Sequence, residues 1–67
     1  MTSLVAYTAF ARAYELGSFS AVARELGITQ STVSKHISAL EAALGVQLFA
    51  RTTRQLSPTH EAARLYD

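Results

Sequence analysis

Cysteine is absent from the 67 residues, which excludes disulfide staples and thiolate metal ligands. The only two histidines, His36 and His60, are far apart in sequence, so the chain gives no reason to expect a metal or a cofactor. No apolar run approaches the roughly 18 residues of a membrane span. The first residues also lack a basic stretch followed by a cleavable apolar segment. The expectation is a soluble, cytoplasmic protein without a membrane partner. Charge of one sign is scarce too, because the net charge is only +1. Its distribution says more than its sum. Residues 1 to 27 carry Arg12, Arg24, Glu15 and Glu25, which cancel, whereas residues 28 to 60 carry Lys35, Arg51 and Arg54 against Glu41 alone. That local excess is modest, and charge by itself is equally compatible with an ordinary solvated surface.

What is present is enough apolar material for one small core. Apolar residues make up 49% of the chain, too many for disorder by low hydrophobicity. A chain this short removes only about 60% of its unfolded surface from water, so its stability will be modest. Leu4, Tyr7, Phe10, Ala11 and Tyr14 recur at three- and four-residue steps and predict a first helix ending at Gly17. Ser18 then suits an N-cap, and Phe19, Val22, Ala23 and Leu26 fall on one side of a short second helix stopped by Gly27. Ile28 is an apolar anchor, and Thr29 is a good N-cap for a third helix from about Gln30 to Leu44, ended by Gly45. "VQLFARTTRQLS" permits a small hairpin, although "TT" is not a turn that enforces one. Ser57 and Pro58 read as the N-cap and first position of a fourth helix.

The third helix has two unlike sides. Steps of 100° put Val33, Ile37, Leu40 and Leu44 within a narrow arc, the expected core face. The opposite arc holds Ser31, Ser34, Lys35, Ser38 and Ala42, with Thr32 and Ala39 at its margin. Solubility alone would be met better by Glu, Lys and Arg, which have higher helix propensity and support one another four residues apart. A face kept this short is suited to a flat partner rich in hydrogen-bonding groups, such as base-pair edges.

Ala23, Gly27, Ile28, Val33 and Ile37 supply the small residue, the turn glycine and the flanking buried aliphatics of a helix-turn-helix. Ordinary helical bundles reproduce any two of these features but seldom all five. The longer run "GSFSAVARELGITQSTVSKHISALEAALGVQLFARTTRQLSPT" resembles the DNA-binding domain of LysR-type transcriptional regulators. The blocks G-S-F, A-x-x-L, S/T-Q, S-x-x-I-x-x-L-E-x-x-L-G, L-F-x-R and L-T/S-P stand in register over nearly the whole chain. The resemblance implies a mainly α, winged helix-turn-helix fold: a three-helix core and a small β-hairpin wing over residues 1–57, then the start of a linker helix over 58–67. It further implies double-stranded DNA with an inverted-repeat operator as partner, homodimerisation through the linker helix, a nucleoid-associated location, and an effector-sensing domain outside this chain.

Residue by residue, the family pattern suggests Gln30, Ser31, Ser34 and Lys35 as base-reading positions. Their chemistry agrees: glutamine can bond an adenine edge in two places, lysine reaches guanine acceptors and serine is tolerant. Thr32 adds a methyl group able to meet thymine. Ser20, Thr29, Ser38 and Thr52 are candidates for phosphate contacts. The resemblance makes Arg54 the wing residue expected to enter the minor groove, and gives Arg51 a phosphate contact or a place closing the hairpin. The family often has proline where Ser31 stands, arginine where Lys35 stands, and a small residue where His60 stands. Lysine lacks the planar fork that matches guanine. His60 is expected to face solvent, and His36 to be a partly buried structural residue. Tyr7, Phe10, Tyr14, Phe19 and Phe49 sit at core spacing, and Glu41 is expected to hold a structural partner such as an arginine. No nucleophile with a base and no second carboxylate beside Glu41 supports catalysis. The rival reading is a winged-helix protein-interaction module without DNA binding, whose surface would carry exposed aromatic or aliphatic anchors.

Overall fold

A computed structural model of the chain describes residues 4–51, of which Arg51 by its backbone alone, and 56–67. In order, these form α1 (Leu4–Leu16), α2 (Phe19–Leu26), α3 (Gln30–Leu44), β1 (Phe49–Arg51), β2 (Leu56–Pro58) and α4 (His60–Tyr66). Local chemistry sets the boundaries of the first three helices as the sequence predicts. The Ser18 hydroxyl accepts from the Ala21 amide at 3.2 Å, and the Thr29 hydroxyl accepts from the Thr32 amide at 3.1 Å, each satisfying an orphan N–H of its helix. Gly27 closes α2 with a left-handed φ of 70°, and its N–H and that of Ile28 both return to the Ala23 carbonyl.

The fourth helix begins later than expected. Its N-cap is Thr59, and Ser57 and Pro58 lie in β2, where the register pairs Phe49 with Pro58, Ala50 with Ser57 and Arg51 with Leu56. The Thr59 hydroxyl decides this. It donates to the Gln47 carbonyl at 2.6 Å and accepts from the Ala62 amide at 3.3 Å, tying the helix start to the loop before β1. Pro58 fits at a strand end, since it has no N–H to offer the ladder.

The core is built from all four helices and the hairpin. Val22, Val33, Ile37, Leu40, Leu48 and Phe49 are its largest fully buried side chains. Each contributes about 1.5–3 kcal/mol by leaving water. On α1 the buried stripe is Ala6, Ala9, Phe10 and Ala13, rotated from the predicted one. Leu4 (81% exposed) and Tyr7 (40%) stay in solvent, because three alanines and one ring let α1 lie close against α2 and α3. Ala11 and Tyr14 are half-buried. Leu44 is also exposed, in contrast to Val33, Ile37 and Leu40. It stands in the last turn of α3, where Gly45 turns the chain away and Leu48 and Phe49 fill the core instead.

Two polar devices fix the periphery. A Glu41 carboxylate oxygen accepts from the amides of Leu48 (2.8 Å) and Phe49 (3.3 Å), so its partners are backbone N–H groups and not the expected arginine. Arg12 of α1 bonds both carboxylate oxygens of Glu25 on α2, at 2.6 and 2.7 Å, and also reaches Glu15, which accepts from the Tyr66 hydroxyl of α4. These groups polarise one another. Glu25 is held below the ordinary carboxylate range by Arg12, Glu15 by the Tyr66 hydroxyl and then by Arg12, and the Tyr66 phenol is pushed up by Glu15.

Candidate nucleic-acid interface

The side of α3 away from the core carries the residues singled out by sequence. Gln30, Ser31, Lys35, Ser38, Ala39 and Ala42 are exposed, and Ser34 is half-exposed. Ser31, Ser34, Lys35 and Ser38 follow steps of three and four residues, so they share one side of a 15-residue helix roughly 22 Å long. Val33, Ile37 and Leu40, all fully buried, hold the other side inward. The outer side is thus presented without bulky side chains apart from Lys35.

Arg12 is engaged by Glu25 and Glu15, whereas Lys35 on α3, like Arg24 on α2 and Arg64 on α4, enters no ion pair among the described residues.

Thr29 and Thr32 play a double part. Their hydroxyls bond each other at 2.7 Å, and the Thr29 hydroxyl also lies 3.3 Å from that of Ser31. The cap therefore orders the first turn of α3, and Thr32, half-buried, has its hydroxyl engaged there. Ser20 is exposed on α2. Arg51 lies in β1, paired across the hairpin with Leu56. Thr52 and Arg54 lie outside the described residues. His60 is exposed at the start of α4. His36 is half-buried in a shallow groove with Leu4, Val5, Leu26 and Ile28, among structural neighbours.

Sequence reasoning missed one member of this face. Phe19 was expected in the core, yet it is only half-buried, and it lines an open recess with Gln30, Ser31 and Ser34. Its place as the first residue of α2, beside the cap rather than a full turn inside the helix, is the signal that could have found it.

Packed on one core, α2, the Gly27 turn and α3 make a helix-turn-helix, and the β1–β2 hairpin that follows makes it a winged one. Comparison with known proteins is consistent with this class. Residues 4–63 match the family model for bacterial regulatory helix-turn-helix proteins of the lysR family. The chain is 42% identical over 67 residues to an HTH-type transcriptional repressor of Pseudomonas aeruginosa, covering 100% of the chain and 21% of that protein. It is 48% identical over 59 residues to the transcriptional regulator CrgA of Neisseria meningitidis, covering 88% of the chain and 20% of the regulator. Among solved structures it is similar to the BenM DNA-binding domain in complex with catB site 1 DNA: TM-score 0.89, 34% identity, 96% of this chain and 72% of that one. The chain belongs to the LysR family of bacterial regulatory helix-turn-helix proteins. It spans about a fifth of the length of the two curated relatives.

Proposed function

We propose that the chain is the sequence-specific, double-stranded DNA-binding domain of a LysR-type transcriptional regulator. The observation that carries this reading is the outer side of α3, where exposed Gln30, Ser31, Lys35 and Ser38 present donors and acceptors with no large apolar side chain among them. A helix of 10–12 Å diameter enters a major groove about 12 Å wide, and short polar side chains let its backbone approach the base edges. Gln30, Ser31, Ser34 and Lys35 read bases, with Thr32 contributing its methyl group since its hydroxyl serves the cap. Ser20, Thr29, Ser38, Arg51 and Thr52 position the domain on phosphates, and Arg54 at the wing enters the minor groove. The similarity to a LysR-type domain solved on DNA supports this assignment.

The reading unit runs through β2, and α4, from its cap Thr59, opens the linker helix. In the longer regulator that helix joins two copies over an inverted repeat, acting at the nucleoid in the cytoplasm. A protein-interaction role is less well supported, because the outer side of α3 itself carries no large aromatic or aliphatic anchor of the kind that dominates such interfaces, and Phe19 beside it is half-buried. Selection of bound sequences from a random duplex pool, followed by titration in rising salt, tests the proposal. An enriched motif whose affinity falls steeply with salt is expected, as neutralised phosphates release counterions. No enrichment and a flat salt response would defeat it.

A further inference from the structure

The polar face of α3 borders one aromatic wall that belongs to a different helix. Phe19 opens α2, and its ring meets Phe49 edge-on, with centroids 5.7 Å apart and planes at 83°. Phe49 is buried and lies 5.9 Å from Phe10, so Phe19 has a firm backing in the core. What Phe19 leaves uncovered lines, with Gln30, Ser31 and Ser34, an open recess of about 470 Å³. The recess is open, so the edge of a base can enter it, and its wall is a hydrocarbon ring while its rim is an amide and two hydroxyls.

In the major groove thymine alone presents a methyl group, at its 5-position, where cytosine has only a hydrogen; the remaining features that proteins read there are donors and acceptors. A donor or acceptor set against the Phe19 ring would lose water without gaining a partner. A methyl loses nothing there, and the neighbouring O4 can accept from the serine or glutamine rim. Resting on the DNA-binding reading above, we propose that the Phe19 recess receives the 5-methyl edge of a thymine in each half-site. Phe19 is then a specificity-determining residue contributed by α2, and the helix before the turn takes part in base choice.

The test replaces the thymines of a selected duplex one at a time with uracil, which removes the methyl and leaves the hydrogen-bonding edge intact. One position per half-site is expected to weaken binding about fourfold, the worth of one buried methyl-sized group. Phe19→Ala, checked for folding by circular dichroism, is expected to make thymine and uracil equivalent at that position. Phe19→Leu keeps an apolar wall at the recess and is expected to retain a preference for thymine over uracil there, which keeps the assignment testable should Phe19→Ala fail to fold. Indifference to uracil at every position, or a thymine preference that persists unchanged in a folded Phe19→Ala, overturns the inference and leaves DNA binding standing. Failure to enrich any duplex overturns both.

Discussion

Tyr66 of α4 lies face to face with Tyr14 of α1, ring centroids 4.3 Å apart and planes within 13° of parallel. Its hydroxyl reaches past that ring to Glu15, so one side chain holds α4 to α1 by both a stack and a hydrogen bond.

This contact has a pH window. Glu15 raises the Tyr66 phenol above its ordinary value near 10, so the folded chain holds that proton more tightly than the unfolded chain. The stabilisation is complete below about pH 10 and is lost as pH rises through the raised value. Glu15 and Glu25 are shifted down, so their contribution is complete above about pH 4 and is lost as pH falls. Tyr66→Phe keeps the stack and loses the hydroxyl. Thermal melts at about pH 8 and about pH 11 are expected to show a smaller alkaline drop in Tm for the variant than for the parent; equal drops would remove this role.

Glu41 ties α3 to β1 through the amides of buried Leu48 and Phe49. Glu41→Ala leaves those amides without that acceptor and is expected to cost about 1–3 kcal/mol in urea unfolding. Glu41→Gln retains an acceptor oxygen and should lose less. Equal losses would show that the carboxamide cannot take the carboxylate's place.

At Gly27 a Cβ would meet no atom within 4 Å, so crowding does not penalise a side chain there. The left-handed φ does. Gly27→Ala is expected to lose about 1–2 kcal/mol, and Gly27→Asn less, since asparagine tolerates that region. Equilibrium unfolding ranks the two, and a Gly27→Asn loss equal to or above the alanine loss would contradict this account.

Lys35→Ala is expected to relax preference at one base position by about 1–3 kcal/mol, visible as a flattened column in sequences selected from a random pool. Lys35→Arg should sharpen a guanine at the same position, because its planar fork bonds both acceptors. Arg54→Ala is expected instead to weaken binding where the flanks are A·T-rich. If Lys35→Ala and Arg54→Ala weakened all sequences equally, the division of labour between helix and wing would be refuted.

The first three helices and their caps were legible because each end is marked by one residue with one local job: Ser18, Gly27, Thr29 and Gly45. The outer side of α3 was legible for a related reason, since helical steps alone place Ser31, Ser34, Lys35 and Ser38 together. What escaped depended on contacts distant in sequence. The cap of α4 fell on Thr59 rather than Ser57 because the Gln47 carbonyl lies within its reach. The buried stripe of α1 followed alanines rather than larger apolar groups, because packing distance to α2 and α3 decides burial there and hydrophobicity does not. Glu41 found backbone amides because the chain returns at Leu48 and Phe49. Helical periodicity carries no information about that return.

The Glu41 clasp also bears on how two grooves would be sampled together. With the root of the hairpin moored to the helix proposed to face the bases, the two cannot swing independently. They behave like the fixed jaws of a caliper, and a duplex whose neighbouring grooves are spaced differently would have to deform to meet both.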